Sequence, residues 1–227
     1  MNEELLLYNK LKRMAINLGG TLFGVADVIP YQAYFNLSPE EYQNLHRGIS
    51  IGVLLSESVL DAITTYPTLL YKWHYRQANN LLDHIAFRVS QFIIQAGYRA
   101  VPIPASQVTD WEKHTGHLSH RSMAEKAGLG WRGRNNLLVT QQYGSHVRLV
   151  SILTDLPLKP DESMVNKCGR CMKCVHSCPA GALGNHSDDY DINKCYTQLT
   201  GYSRLPGIGA HICGICVKSC KGGKGSG

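Results

Sequence analysis

The first 167 of the 227 residues contain no cysteine. All eight cysteines fall between Cys168 and Cys220, so disulfides staple no main core. Long apolar runs are missing too: none approaches the ~20 residues that span a bilayer. The opening, Met1-Asn2-Glu3-Glu4-Leu5, is acidic, unlike the basic start of a secretory signal. These absences predict a cytoplasmic protein with no membrane partner and reduced thiols. The G-x-G-x-x-G order is absent, which excludes the dinucleotide fingerprint. No long repeat is visible. What remains is an ordinary globular composition, with 44% hydrophobic and 18% charged residues. The length suits one domain plus a small module.

Apolar periodicity gives a mixed order of elements. Leu7, Leu11, Met14 and Leu18 predict a helix ended by Gly19-Gly20. Thr21 to Ala26 and Ile49 to Leu55 read as strands, with a helix start at Ser38-Pro39 between them. Tyr71 to Ala96 is the longest helix, with Leu82, Ile85, Ala86, Val89, Phe92 and Ile93 on one face. Its opening stretch, Tyr71, Trp73, Tyr75 and Asn79, reads as core and rim packing. Tyr98 to Ile103 follows as a strand, then a short helix from His120 to Ala127. Leu137 to Thr140 and Val147 to Thr154 read as a β-hairpin around Tyr143-Gly144-Ser145. The segment Leu156 to Glu162 reads as a linker, and the tail from Lys221 as disordered. Two domains are expected, residues 1–160 and 161–227, the first of α+β or α/β type.

The cysteine pattern carries the chemistry. Cys168-x₂-Cys171-x₂-Cys174-x₃-Cys178-Pro179 is followed by Cys195 and then Cys213-x₂-Cys216-x₃-Cys220. Closely spaced thiolates on a tight loop can take three corners of an iron–sulfur cube. In two-cluster ferredoxins the fourth cysteine of each run ligates the other cluster. That rule assigns Cys168, Cys171, Cys174 and Cys220 to a first [4Fe–4S] cluster. It assigns Cys178, Cys195, Cys213 and Cys216 to a second, and no cysteine is left over. Cys₄ zinc is the alternative, and the x₂, x₂, x₃-Pro spacing favours iron–sulfur. Two clusters of about −2 each would bring the formal +6 down to about +2, so the basic balance does not by itself call for nucleic acid.

Ahead of this module runs Ala124-Glu125-Lys126-Ala127-Gly128-Leu129-Gly130-Trp131-Arg132-Gly133-Arg134-Asn135. Its glycines would allow close backbone approach to a large flat ligand, or simply punctuate a turn. This segment, then Gly144-Ser145 with Ile152-Leu153-Thr154-Asp155-Leu156-Pro157-Leu158, then the cysteine run through Ala182-Leu183, together resemble epoxyqueuosine reductase. That family is cobalamin-dependent, carries iron–sulfur clusters and serves queuosine biosynthesis. The resemblance is specific from Ala124 to Cys178. Between Cys195 and Cys220 it is the cysteine pattern alone.

The resemblance implies a nitroreductase-like α/β cobalamin-binding domain followed by a bacterial two-[4Fe–4S] ferredoxin-like module, α+β overall. It implies base-off cobalamin held between the two, reduced through the clusters by an external donor of ferredoxin or flavodoxin type. Matching positions place Asn135, Leu138 and Leu149 against the corrin, with Thr197 where the family has a similar hydroxyl. Two departures bear on substrate. The family's proton-donating aspartate falls on His114, a residue able to donate a proton near neutrality. The family also continues into a tRNA-contacting region past the clusters, where this sequence ends at Gly227. tRNA is therefore not expected as a partner, and a small molecule or the corrinoid itself is. A corrinoid reductase or carrier, a two-cluster electron-transfer protein without corrinoid, and a flavin in the nitroreductase-like domain are the alternatives. His114, His117 and His120 recur every third residue; a hydrogen-bonded turn is the simpler reading than a metal-binding helical face. His114 or His146 could give cobalt a lower ligand.

Overall fold

The computed structural model describes residues 3–222. The chain runs α1 (Glu3–Asn17), β1 (Leu22–Asp27), α2 (Pro39–Tyr42), β2 (Arg47–Leu54), α3 (Glu57–Asp61), α4 (Leu69–Gln95) and β3 (Ala100–Ile103). It continues α5 (His120–Lys126), β4 (Trp131–Arg132), β5 (Leu138–Val139), β6 (Val147–Thr154), α6 (Lys173–Ser177), α7 (Ile192–Ser203) and α8 (Ile215–Ser219). The expected strands and long helix form within two residues of their predicted bounds. Two compact units divide these elements. One takes residues up to Val53, then 79–129 and 148–164; the other takes 54–78, 130–147 and Val165 onward. The sequence reading expects two consecutive blocks, 1–160 and 161–227. By contact, the cysteine-bearing part also takes in residues 54–78 and 130–147.

The first unit is built on a four-stranded sheet in the order β1-β2-β6-β3. β1 and β2 are antiparallel, with Phe23 opposite Ile51 and Val25 opposite Ile49. β3 and β6 are antiparallel, with Val101 opposite Leu153. Pro102 lies on β3, an edge strand, where its missing N–H costs the ladder nothing. The other edge is closed by the segment read as a linker. Asp161 N donates to Val25 O at 2.8 Å, and Val25 N donates to Asp161 Oδ2 at 2.8 Å. Asp161 Oδ2 also accepts from Tyr8 Oη at 2.9 Å, and the Tyr8 ring meets Phe23 edge-on at 5.3 Å. One carboxylate thus ties α1 to the edge of the sheet and pairs the backbone of β1 there at Val25.

α5 packs on β1 through a core of Ala26, Val28, Leu45, Met123, Ala127 and Leu153. Gly48 is required there, because a Cβ would overlap the Met123 side chain and Val28. α4 buries Leu82, Ile85, Ala86, Val89 and Ile93, the stripe its periodicity predicts.

The hairpin expected across Tyr143-Gly144-Ser145 does not form. β5 pairs with β4 instead, Trp131 opposite Val139 and Arg132 opposite Leu138. β6 takes an interior place in the sheet, burying Leu149, Val150, Ile152 and Leu153 in succession. A strand buried on both faces carries no alternation to mark its partner, so sequence proximity misassigned it.

In the second unit α8 packs against α6 and α3. Ser219 Oγ on α8 donates to Ser177 Oγ on α6 at 2.8 Å. Lys218 Nζ donates to the carbonyls of Asp61 and Ile63 at 2.9 and 2.7 Å, a cation at the end of α3. Lys221, where disorder was expected, pairs with Glu57 at 2.6 Å. The rest of that expectation, beyond Gly222, lies outside the described residues.

Candidate metal centre and cofactor site

The cysteine repeat is a repeat of structure. α6 holds Cys174 and ends at Cys178; α8 holds Cys216 and ends at Cys220. In each, a Cys-x₂-Cys pair turns into one short helix whose last turn delivers the next thiol. Gly214 makes the second turn at φ 86°.

The eight thiols fall into two sets of four. A cavity of about 280 Å³ is lined by Cys168, Cys171, Cys174 and Cys220, beside Trp131 and Asn135. Burial pushes the Cys174 thiol up to about 11, and the charges of Cys220, Cys168 and Cys171 add to it. Around the other set, burial first and then Cys195 and Cys178 push Cys213 to about 11. Cys216 is driven well above the usual thiol range by burial and by Cys213, Cys195, Cys178 and Cys174. Cys174 acting on Cys216 makes the two sets neighbours.

Among the described residues no group of His, Cys, Asp or Glu side chains is arranged to hold a metal ion. Four thiols lining one hollow fit a multi-atom cluster better, since its cube separates its own ligands. The donor set is all sulfur, which suits iron–sulfur chemistry. Such a centre would overcome the burial penalty by displacing the thiol protons.

The first hollow is braced by residues remote in sequence. Trp131 Nε1 donates to Cys168 Sγ at 3.4 Å. Arg134 donates to the carbonyls of Gly169, Cys171 and Asn185 at 2.8, 3.0 and 2.6 Å, holding the loop that presents Cys168 and Cys171. Asn166 Oδ1 accepts from Cys168 N while its amide donates to Arg132 O. Ser145 N donates to Cys220 O at 3.0 Å. Burial raises the Cys220 thiol, opposed by hydrogen bonds from Ser145 and Gly222. Nothing local in the sequence joins Arg134 or Ser145 to this loop.

The glycines around Trp131 serve the hairpin rather than a flat ligand: a Cβ on Gly130 would overlap Val139 O, and one on Gly133 the Val139 side chain. Asn135 is 4% exposed; its Nδ2 donates to Ser145 Oγ at 2.9 Å and its Oδ1 accepts from Leu137 N. Leu138 is 2% and Leu149 8% exposed, so little of either surface is open. Thr197 is exposed on α7. Asn135, Leu138 and Thr197 belong to the second unit, Leu149 and His114 to the first.

The three spaced histidines share no helical face. His114 sits in a tight turn at φ 54°, closed by the bridge between Asp110 and Thr115. His117 Nε2 meets Gln107 Oε1 at 3.2 Å. His120 begins α5, with Nε2 2.9 Å from Pro104 O and Nδ1 2.8 Å from Ser151 Oγ. A carbonyl only accepts, so Nε2 carries the proton and Nδ1 takes the Ser151 hydroxyl. His146 is buried and its Nε2 lies 3.1 Å from Lys218 O; that nitrogen is a donor and is spent.

No family model matches the chain. An epoxyqueuosine reductase of Bacillus anthracis is 39% identical over 121 residues, 49% of this chain and 31% of that protein. A tetrachloroethene reductive dehalogenase of Desulfitobacterium hafniense is 30% identical over 211 residues, 90% of this chain and 35% of that protein. An epoxyqueuosine reductase solved with a modified tRNA stem loop superposes with TM-score 0.69 at 22% identity, covering 98% of this chain and 67% of that one. A catabolic reductive dehalogenase superposes with TM-score 0.72 at 19% identity, over 92% of this chain and 31% of that one. The structural likenesses show the fold. The chain spans about a third of the length of these two curated relatives. By fold and sequence it is related to a class of reductases. Within that class it is epoxyqueuosine reductase-like over the part that matches. Among the described residues no helix is long and apolar enough to cross a membrane.

Proposed function

We propose that this chain is a cobalamin-dependent iron–sulfur reductase whose substrate differs from tRNA epoxyqueuosine, because His114 stands where the resembling family has its proton-donating aspartate. The observation that carries it is the division of eight thiols into two neighbouring sets of four. One set is Cys168, Cys171, Cys174 and Cys220; the other is Cys178, Cys195, Cys213 and Cys216. Each would hold one [4Fe–4S] cluster, in a ferredoxin-like module running from residue 161 onward. A corrinoid bound by the chain would supply low-potential cobalt chemistry. B12-dependent dehalogenation is described for one structural neighbour, a reductive dehalogenase.

The chain's own residues have the following parts. Arg134 and Trp131 fix the loop and a thiol of the first set. By the resemblance, Asn135, Leu138, Leu149 and Thr197 are the positions that would contact a corrinoid. His114, held in a turn with left-handed backbone, delivers the proton. An external ferredoxin or flavodoxin supplies the electrons. One structural neighbour was solved with tRNA, whereas no tRNA contact is assigned to this chain.

Anaerobic titration of cluster-reconstituted protein with cob(II)alamin, followed by EPR, tests the reading. A base-off spectrum without nitrogen splitting is expected. Absence of binding would remove the corrinoid and leave a two-cluster electron carrier.

A further inference from the structure

Cations ring the first thiol set. Arg134, Lys167, Lys173 and Lys221 line its cavity, and no acidic side chain does among the described residues. Arg170 lies exposed between Cys168 and Cys171. A wider hollow of about 610 Å³ adjoins it, carrying His176 and Lys218 with Lys173 and Lys221. Its one acid is Asp61, which with Glu57 neutralises part of Lys221.

Exposure differs between the two sets. Cys171 is the one exposed cysteine of the eight. The second set has no exposed member. A redox centre held by the first set would come nearest to solvent at Cys171, inside a rim of positive charge.

We infer that this basic face, centred on Cys171, is the docking surface for a small acidic electron-carrier protein. The inference rests on the two-cluster reading above and adds where the donor lands. Electrostatic steering by such a rim brings an acidic partner in fast and loses force as salt rises. Arg134 is spent on three carbonyls but keeps its charge, so the rim stays cationic without needing mobile side chains. RNA is the other polyanion to weigh. Single-stranded RNA sites pair cations with exposed stacking aromatics. Trp131 is 3% exposed and faces Cys168, so the single imidazole of His176 is the one exposed aromatic ring in either lining, too few for a run of stacked bases.

The test uses the full reconstituted chain, with iron per chain measured first so that loss of the cluster reading shows separately. Association with an oxidised flavodoxin and with an acidic ferredoxin is followed by biolayer interferometry from low to high ionic strength. Expected is an association rate that falls steeply with salt. At low salt and equal iron content, Arg170→Glu and Lys167→Glu should each slow it at least about ten-fold. Arg13→Glu, an exposed change on α1, should leave it unaltered. If neither carrier binds, or both bind without regard to salt and to these changes, the assignment is overturned. It is equally overturned if a tRNA anticodon stem-loop binds this face and the carriers do not. Full iron with no docking refutes the surface alone. Absent iron refutes the reading beneath it.

Discussion

The indole Nε1 of Trp131 donates to the thiol sulfur of Cys168 at 3.4 Å, across 37 residues of chain. A hydrogen bond to a cluster thiolate favours the state with more electron density on sulfur, which is the reduced one. Trp131→Phe keeps the buried ring and removes the donor. The first cluster's potential should fall by about 40 mV, the one-electron equivalent of about 1 kcal/mol. An EPR-monitored redox titration reads it, and an unmoved potential would show that the indole does not tune the centre.

Gly144 gives a second prediction about the same centre. Its φ is 56°, and a Cβ there would overlap the carbonyl of Cys220 and the nitrogen of Gly222. Gly144→Ala must push away the end of α8 that brings Cys220 to the cavity. Iron should drop from about eight to about four per chain, as it should in Cys174→Ala, with the second set still loaded. Anaerobic iron analysis with EPR distinguishes this from global unfolding, which would lose all of it.

The cysteine runs stand out because metal-ligand spacing is local: Cys168, Cys171 and Cys174 lie within a few residues of one another, as do Cys213 and Cys216. Only Cys195 and the exchange of Cys178 and Cys220 needed a rule from outside the spacing. The longer helices and the strands of the sheet were legible from periodicity; β6 was found and only its partner missed, while α3, β4, α6, α7 and α8 were not read. What the sequence hides is every long-range polar tie. Arg134 reaches Gly169, Asp161 reaches Tyr8, and His120 reaches Ser151, none with a periodic or spaced signature. Asn135 reads as a ligand contact from resemblance, while its amide is spent on Ser145 and Leu137.

Asp161 tests whether an apparent linker holds the sheet edge. Asp161→Ala leaves Tyr8 Oη and Val25 N without their acceptor. The unmade bonds should cost about 2 kcal/mol, and Tyr8→Phe, which removes only a donor, about 1 kcal/mol or less. Urea denaturation of both variants and the double variant checks it. Additive losses would show that Tyr8 and Asp161 do not act as a bonded pair.

His120 makes stability depend on pH in a defined window. Burial lowers its pKa from 6.5 to about 4, with Arg148 and His117 nearby assisting and the Pro104 carbonyl and Asp83 opposing. The folded chain therefore refuses a proton that the unfolded chain accepts below 6.5. Stability is intact above that value and is lost as pH falls toward about 4, by about 3 kcal/mol in all. His120→Gln can still donate to Pro104 O but cannot titrate. It should lower stability at pH 7 by about 1–2 kcal/mol and flatten the slope between pH 6.5 and 4. Chemical denaturation at pH 7, 5.5 and 4.5 reads the slope. The same slope in both proteins would mean that His120 is not the group that titrates.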